Sequence, residues 1–218
     1  MVLDKQRHRL DWWLTPLAKA LRRMDPNVFT WLSLVAAFVG GWAFYTSGPG
    51  QEGWLWLAWG MVLSNSVLDL LDGKVAKMTD RCTPKGDYLD HAIDRFSDVL
   101  FIGGIALSPW ADLRIGFAAV VFTLLTSYLG TQAQAVGIGR NYGGLLGRAD
   151  RMVMLLVIPV AQASLGPRFG WDHIGGEAWG MSLLGWMLTY FAIMGAFTTV
   201  QRFVGGYRSF GADGQVKP

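Results

Sequence analysis

The chain has 218 residues, of which 52% are hydrophobic and 16% charged, with a net charge of +3. Soluble domains average about 25% charged residues, so the composition points to an all-α integral membrane protein and away from a soluble domain. The net charge is too small to argue for nucleic acid as a partner, and a single cysteine, Cys82, excludes an internal disulfide.

In chain order, residues 2–24 read as an amphipathic helix. Leu10, Trp13, Leu14, Leu17, Leu21 and Met24 recur at three- and four-residue steps, with Lys5, Arg7, Arg9, Lys19, Arg22 and Arg23 flanking or opposing them. Such a helix can lie in the headgroup plane; packing against the protein is the alternative. These first residues are charged and lack a central apolar run, so no cleavable signal peptide is expected. Asp25-Pro26-Asn27 breaks the helix and opens the next, because Pro suits a first helical turn.

Six apolar segments follow, at roughly 28–47, 54–77, 86–107, 115–137, 150–166 and 178–204. Each supplies about 20 residues, enough to cross the hydrocarbon core. Turns are expected at Ser47-Gly48-Pro49-Gly50, Ser108-Pro109 and Gly166-Pro167. The expected organisation is a surface helix over 1–25, six transmembrane helices over 26–206 and a cytoplasmic tail over 207–218. Lys and Arg cluster before Pro26, at Lys74, Lys77, Arg81 and Lys85, at Arg140, Arg148 and Arg151, and at Arg202, Arg208 and Lys217, whereas the opposite loops hold Arg114 and Arg168. The positive-inside rule therefore puts both termini, and the segment 69–94, at the cytoplasmic face of the cell membrane.

That segment reads Asp69-x2-Asp72-Gly73-x2-Ala76-Lys77-x8-Gly86-x3-Asp90-x3-Asp94. Carboxylates at membrane depth are costly and mark functional sites. Asp69 and Asp72 share one helix face; Asp90 and Asp94 share another. The short connection predicts that the two helices are antiparallel neighbours whose four acids converge. Hard oxygen ligands in that number suit Mg2+ or Mn2+, and two ions would form a clamp for phosphoryl chemistry. Gly73, Ala76 and Gly86 let a bulky ligand approach the backbone, and Lys77 can reach a phosphate oxygen.

The motif resembles the signature of the CDP-alcohol phosphotransferases, D-x2-D-G-x2-A-R-x8-G-x3-D-x3-D. Every fixed position and both spacers match, except that Lys77 stands for the arginine. The six spans, the N-terminal surface helix and the Pro26-Asn27 opening of span one extend the resemblance along the chain. It implies cleavage of the pyrophosphate of a CDP-linked lipid (CDP-diacylglycerol or CDP-archaeol), release of CMP, and transfer of the phospholipid to an alcohol, by a homodimer. By position, Asp69, Asp72 and Asp90 would be the main metal ligands. Asp94, also near the metals, would be the catalytic base. Asp69, Gly73, Ala76 and Gly86 would form the nucleotide site, with Lys77 on the diphosphate. Lysine keeps the charge but loses the bidentate fork, which shifts affinity rather than abolishing the reaction.

The stretch Ser127–Gly137 and the later Gly143–Arg151 resemble the inositol-phosphate branch of that family. Arg148 and Arg151 retain its basic pair, which could bind an acceptor phosphate; headgroup anchoring is the alternative. Gln132 stands where the branch has an arginine, and Arg140 could substitute from the loop. Inositol phosphate or glycerol phosphate is the favoured acceptor, with serine or inositol as alternatives. Two other classes fit less well. An intramembrane prenyltransferase would place an acid at Gly73 in its Asn65-x3-Asp69-x3 motif, and a cation transporter predicts acids near the bilayer centre with repeat symmetry. Asp98 could pair an arginine beneath Asp94, Asn65 could line the site or clasp a neighbouring helix, and His91 reads as a packing residue.

Overall fold

The computed structural model describes residues 7–139, 144–170, 174, 180–211, 213, 215 and 216. Seven helices occupy them: α1 Arg7–Leu21, α2 Pro26–Thr46, α3 Gly53–Met78, α4 Pro84–Ala106, α5 Leu113–Ala135, α6 Arg148–Phe169 and α7 Leu183–Arg208. Only two isolated bridges, Ile174 with Met181 and Phe210 with Val216, interrupt the helical character of the described residues.

Local chemistry sets the helix starts. Asp25 accepts from the Asn27 N–H ahead of Pro26, and Thr83 accepts from the Gly86 N–H ahead of Pro84. Asp112 and Ser182 cap α5 and α7 through the N–H groups of Arg114 and Gly185. Each cap satisfies a backbone donor that has no partner inside its helix. Asp150 accepts from the Gly147 N–H and closes the start of α6. Two expected boundaries move. Gly166-Pro167 is no turn: α6 runs through it to Phe169 and ends at Gly170, whose φ of 65° suits glycine. The last helix starts later than expected, because Ser182 caps it.

α2, α3, α5, α6 and α7 are each long and apolar enough to cross a membrane. α4 has the length, but its first fifteen residues carry Lys85, Asp87, Asp90, Asp94, Arg95 and Asp98. α2 packs along both α3 and α4, α5 pairs with α7, and α3–α6, α4–α5 and α6–α7 contacts close the bundle. The expectation that α3 and α4 are direct neighbours is therefore corrected: each meets α2 far more than the other. The α2–α4 crossing is close because glycines face it. A Cβ at Gly104 would collide with the carbonyl oxygen of Gly41, and one at Gly41 with that of Leu100. Phe44, Leu55, Phe101, Ile102, Ile105, Leu184, Leu188 and Phe191 fill the half of the bundle that contains this crossing. At the other end α1 rests on α3, with Leu14 and Ala18 buried against Phe29, Leu71 and Val75. The apolar face read from the sequence thus splits: Leu14 turns inward, while Leu17 and Met24 stay exposed.

Candidate active site

The bundle's alternating direction brings the start of α2, the end of α3 and the starts of α4 and α6 to one end. α2 packs along both α3 and α4, so side chains of both meet beside it. Asp69 stands beside Asp90, and both neighbour Asp72 and Asp94. The sequence-predicted carboxylates therefore do converge. Asp72 and Asp94 are each 7% exposed, whereas the Asp90 carboxylate is 36% exposed, so the cluster is a cup open on one side.

Neighbouring helices hold the cup in place. Thr30 on α2 donates its hydroxyl to Asp72 Oδ2 at 2.7 Å. Asn65 donates through Nδ2 to the Ser33 carbonyl at 2.9 Å and to Ser97 Oγ at 3.1 Å. Asn65 is thus a clasp across α2, α3 and α4 rather than a lining group. Thr30 has no signal in the sequence, since a threonine in an apolar helix more often bonds its own backbone.

Arg148, the first residue of α6, reaches into the cup. Its Nη1 lies 3.2 Å from Asp69 Oδ2 and its Nη2 2.5 Å from Asp94 Oδ1. One turn further along, Arg151 is buried and donates to buried Asp98 Oδ2 at 2.7 Å, with Arg95 Nη1 3.7 Å from the same oxygen. Two Asp–Arg rungs therefore tie α4 to α6. Arg151, counted as a cytoplasmic-side loop charge from the sequence, lies instead inside the bundle, and Arg202 is half-buried and donates to the Thr126 carbonyl at 2.6 Å. Arg95, Arg151 and Arg202 are close enough to repel one another, and Asp98 pairs the first two. Arg95 and Arg202 had no place in the sequence-derived site. Arg140 lies outside the described residues.

The glycine-lined face is open. A Cβ at Gly73 would meet nothing within 4 Å, Lys77 is exposed one turn on, and Ala76 is half-buried. Gly86 opens α4, its N–H on Thr83 Oγ1 at 3.1 Å. Gln132 is exposed on α5. His91 is drawn toward the cup, its Nδ1 3.6 Å from Asp90 Oδ2. One ligand atom each from Asp90, His91 and Asp94 fall within 4.8 Å of one another. Carboxylate oxygens with one imidazole are a fitting donor set for a hard divalent cation. The starts of α4 and α6 also point their positive dipole ends toward this end of the bundle, where anions gather.

An all-helical membrane bundle with a carboxylate cup, a glycine-lined face and arginines at its base defines a class of enzyme that handles phosphorylated substrates. The CDP-alcohol phosphatidyltransferase profile matches residues 23–200, and the chain belongs to that family of phospholipid-synthesising transferases. It is 30% identical to the phosphatidylinositol phosphate synthase of Cutibacterium acnes over 88% of this chain and 90% of that one. It is 26% identical to the archaetidylinositol phosphate synthase of Pyrococcus horikoshii over 74% of this chain and 84% of that one. The fold matches Mycobacterium tuberculosis phosphatidylinositol phosphate synthase solved with CDP-DAG bound, with TM-score 0.72, 24% identity, and coverage of 94% of this chain and 98% of that one. The same mycobacterial enzyme in complex with manganese and citrate matches with TM-score 0.70 and 24% identity, over 89% of this chain and 88% of that one. The chain is therefore a multi-pass membrane CDP-alcohol phosphotransferase.

Proposed function

We propose that this enzyme transfers a phosphatidyl or archaetidyl group from a CDP-linked lipid to a hydroxyl of a phosphorylated polyol, inositol phosphate or glycerol phosphate, and releases CMP. The observation that carries the reading is the pairing of an open carboxylate cup with an arginine-rich base. Arg95 and Arg151 share the carboxylate of Asp98, and Arg202 stands close to both arginines, an excess of positive charge that favours an anionic acceptor. The names of the relatives supply the inositol preference.

In this reading Asp69, Asp72, Asp90 and Asp94 hold Mg2+ or Mn2+, two ions by the resemblance. When bound, the metal neutralises charge on the pyrophosphate. The open surface at Gly73 and Ala76 receives the nucleotide, and Lys77 meets the diphosphate. Asp94 takes the proton from the acceptor hydroxyl as that oxygen bonds to the lipid-side phosphorus. The bond to CMP breaks, and the electron pair leaves on the CMP phosphate. Thr30 orients Asp72 and so acts through it. Arg148 and Arg151 remain the proposed acceptor side, with Arg148 between acceptor and cup. An unphosphorylated alcohol such as serine is the second reading; it rests on Gln132, a neutral side chain where the inositol-phosphate branch has an arginine.

The reading also makes α4 the sixth crossing helix. Its acids are shielded because α2, α5 and α7 pack around it and bury Asp94 and Asp98. α1 then lies at the cytoplasmic interface, where Lys19, Arg22 and Arg23 line a basic groove beside Met78.

The test is an acceptor screen in detergent with CDP-diacylglycerol and CDP-archaeol, Mg2+ or Mn2+, and inositol phosphate, glycerol phosphate, serine or inositol, scored by CMP release. Release with a phosphorylated polyol, lost in Asp94→Asn while CDP-lipid still binds, is the expected result. Release only with serine would overturn the acceptor assignment, and wild-type turnover in Asp94→Asn would overturn the base.

A further inference from the structure

Arg148 sits where a metal is expected. Its two terminal nitrogens are divided between Asp69 on α3 and Asp94 on α4, while its Nε has no partner. The guanidinium therefore bridges α3 and α4. Asp72 has its own donor in Thr30, and Asp90 has His91 beside it. Arg148 is the cation in direct contact with Asp69 and Asp94. A carboxylate oxygen occupied by a guanidinium is not presented to a cation, and two cations on one pair of carboxylates repel each other.

We propose that Arg148 is a tethered counter-ion of the cup, which a divalent cation entering at Asp69 and Asp94 must displace. The inference rests on the reading of the cup as a metal site. The backbone permits the motion without refolding. Arg148 is the first residue of α6, preceded by Gly147, while the Arg151–Asp98 bond one turn away anchors the helix to α4. Rotation of a single side chain then moves the charge from the carboxylates to the arginine-rich side. Metal loading in this way releases a guanidinium beside the place proposed for the acceptor phosphate. A cation then faces Asp69 and Asp94 in either state, which eases the repulsion among the gathered acids before a metal arrives.

The experiment measures Mn2+ binding to the full chain in detergent by isothermal titration, for the wild type, Arg148→Gln and Arg148→Lys, together with thermal unfolding with and without Mn2+. Arg148→Gln should bind Mn2+ about tenfold more tightly, equivalent to about 1.4 kcal/mol. Arg148→Lys, which keeps the charge without the fork, should fall between. Arg148→Gln should also lower the unfolding temperature of the metal-free protein and leave that of the Mn2+-loaded protein near wild type. Unchanged or weaker Mn2+ affinity in a folded Arg148→Gln protein would overturn the proposal. So would an equal loss of stability in both states, which describes a purely structural bridge. If the wild type and Arg148→Gln both fail to bind Mn2+, and Asp69→Asn behaves no differently, the metal reading beneath falls, and the displacement falls with it.

Discussion

Asp98 and Arg151 offer the sharpest quantitative test of how the site is supported. Both are buried, 0% and 2% exposed, and 2.7 Å separates Arg151 Nη2 from Asp98 Oδ2. Removing one partner of such a pair costs about 3–5 kcal/mol, because the other charge stays buried without compensation. The two single variants should not cost the same. Arg151→Met leaves Asp98 with Arg95, whose Nη1 is 3.7 Å away. It should fall near the lower end, about 3 kcal/mol. Asp98→Asn strands Arg151 beside Arg95 and Arg202, so it should fall near the upper end, about 5 kcal/mol. The double variant Asp98→Asn/Arg151→Met removes both buried charges together, so it should lose less than the two singles added. Equilibrium unfolding in mixed micelles, driven by SDS and followed by tryptophan fluorescence, measures each loss. A larger loss in Arg151→Met than in Asp98→Asn, or a double loss equal to the sum, would refute the reasoning.

Other variants probe the cup and the bundle separately. Thr30→Val removes the donor to Asp72 and should weaken Mn2+ binding about 10- to 100-fold, with recovery in Thr30→Ser, as read by titration. Gly73→Val places its Cβ in open space, so unfolding should shift by no more than about 0.5 kcal/mol. Its KM for the CDP-lipid, measured by CMP release, should nonetheless rise about tenfold, the effect of a 1.4 kcal/mol misfit. Gly104→Ala drives a methyl into the Gly41 carbonyl and should cost about 1–3 kcal/mol in the same unfolding assay. Gly103→Ala, which meets nothing within 4 Å, serves as the neutral control.

The helices and the four carboxylates were legible because both are local properties. Apolar runs of about 20 residues declare spanning helices. The spacings within 69–94 fix which acids share a face, whatever surrounds them. The short link between α3 and α4 misled for a related reason. Chain connectivity limits how far apart two helix ends lie, but it says nothing about a third helix that packs between them, as α2 does here.

The sequence alone determined the apolar, helical class of the chain, the helix break at Asp25-Pro26-Asn27, the metal-type carboxylate motif and the family. Tertiary structure alone decided that Thr30 serves Asp72, that Asn65 clasps three helices, and that Arg148, Arg151 and Arg202 turn inward rather than toward lipid headgroups. The physical reason is the same in each case. A transmembrane helix is apolar on its lipid side and on its packed side alike, so periodicity does not reveal which polar side chain will face which partner. Only the packing of α2 against α3 and α4, and of α6 against α3, brought these donors and cations to the acids.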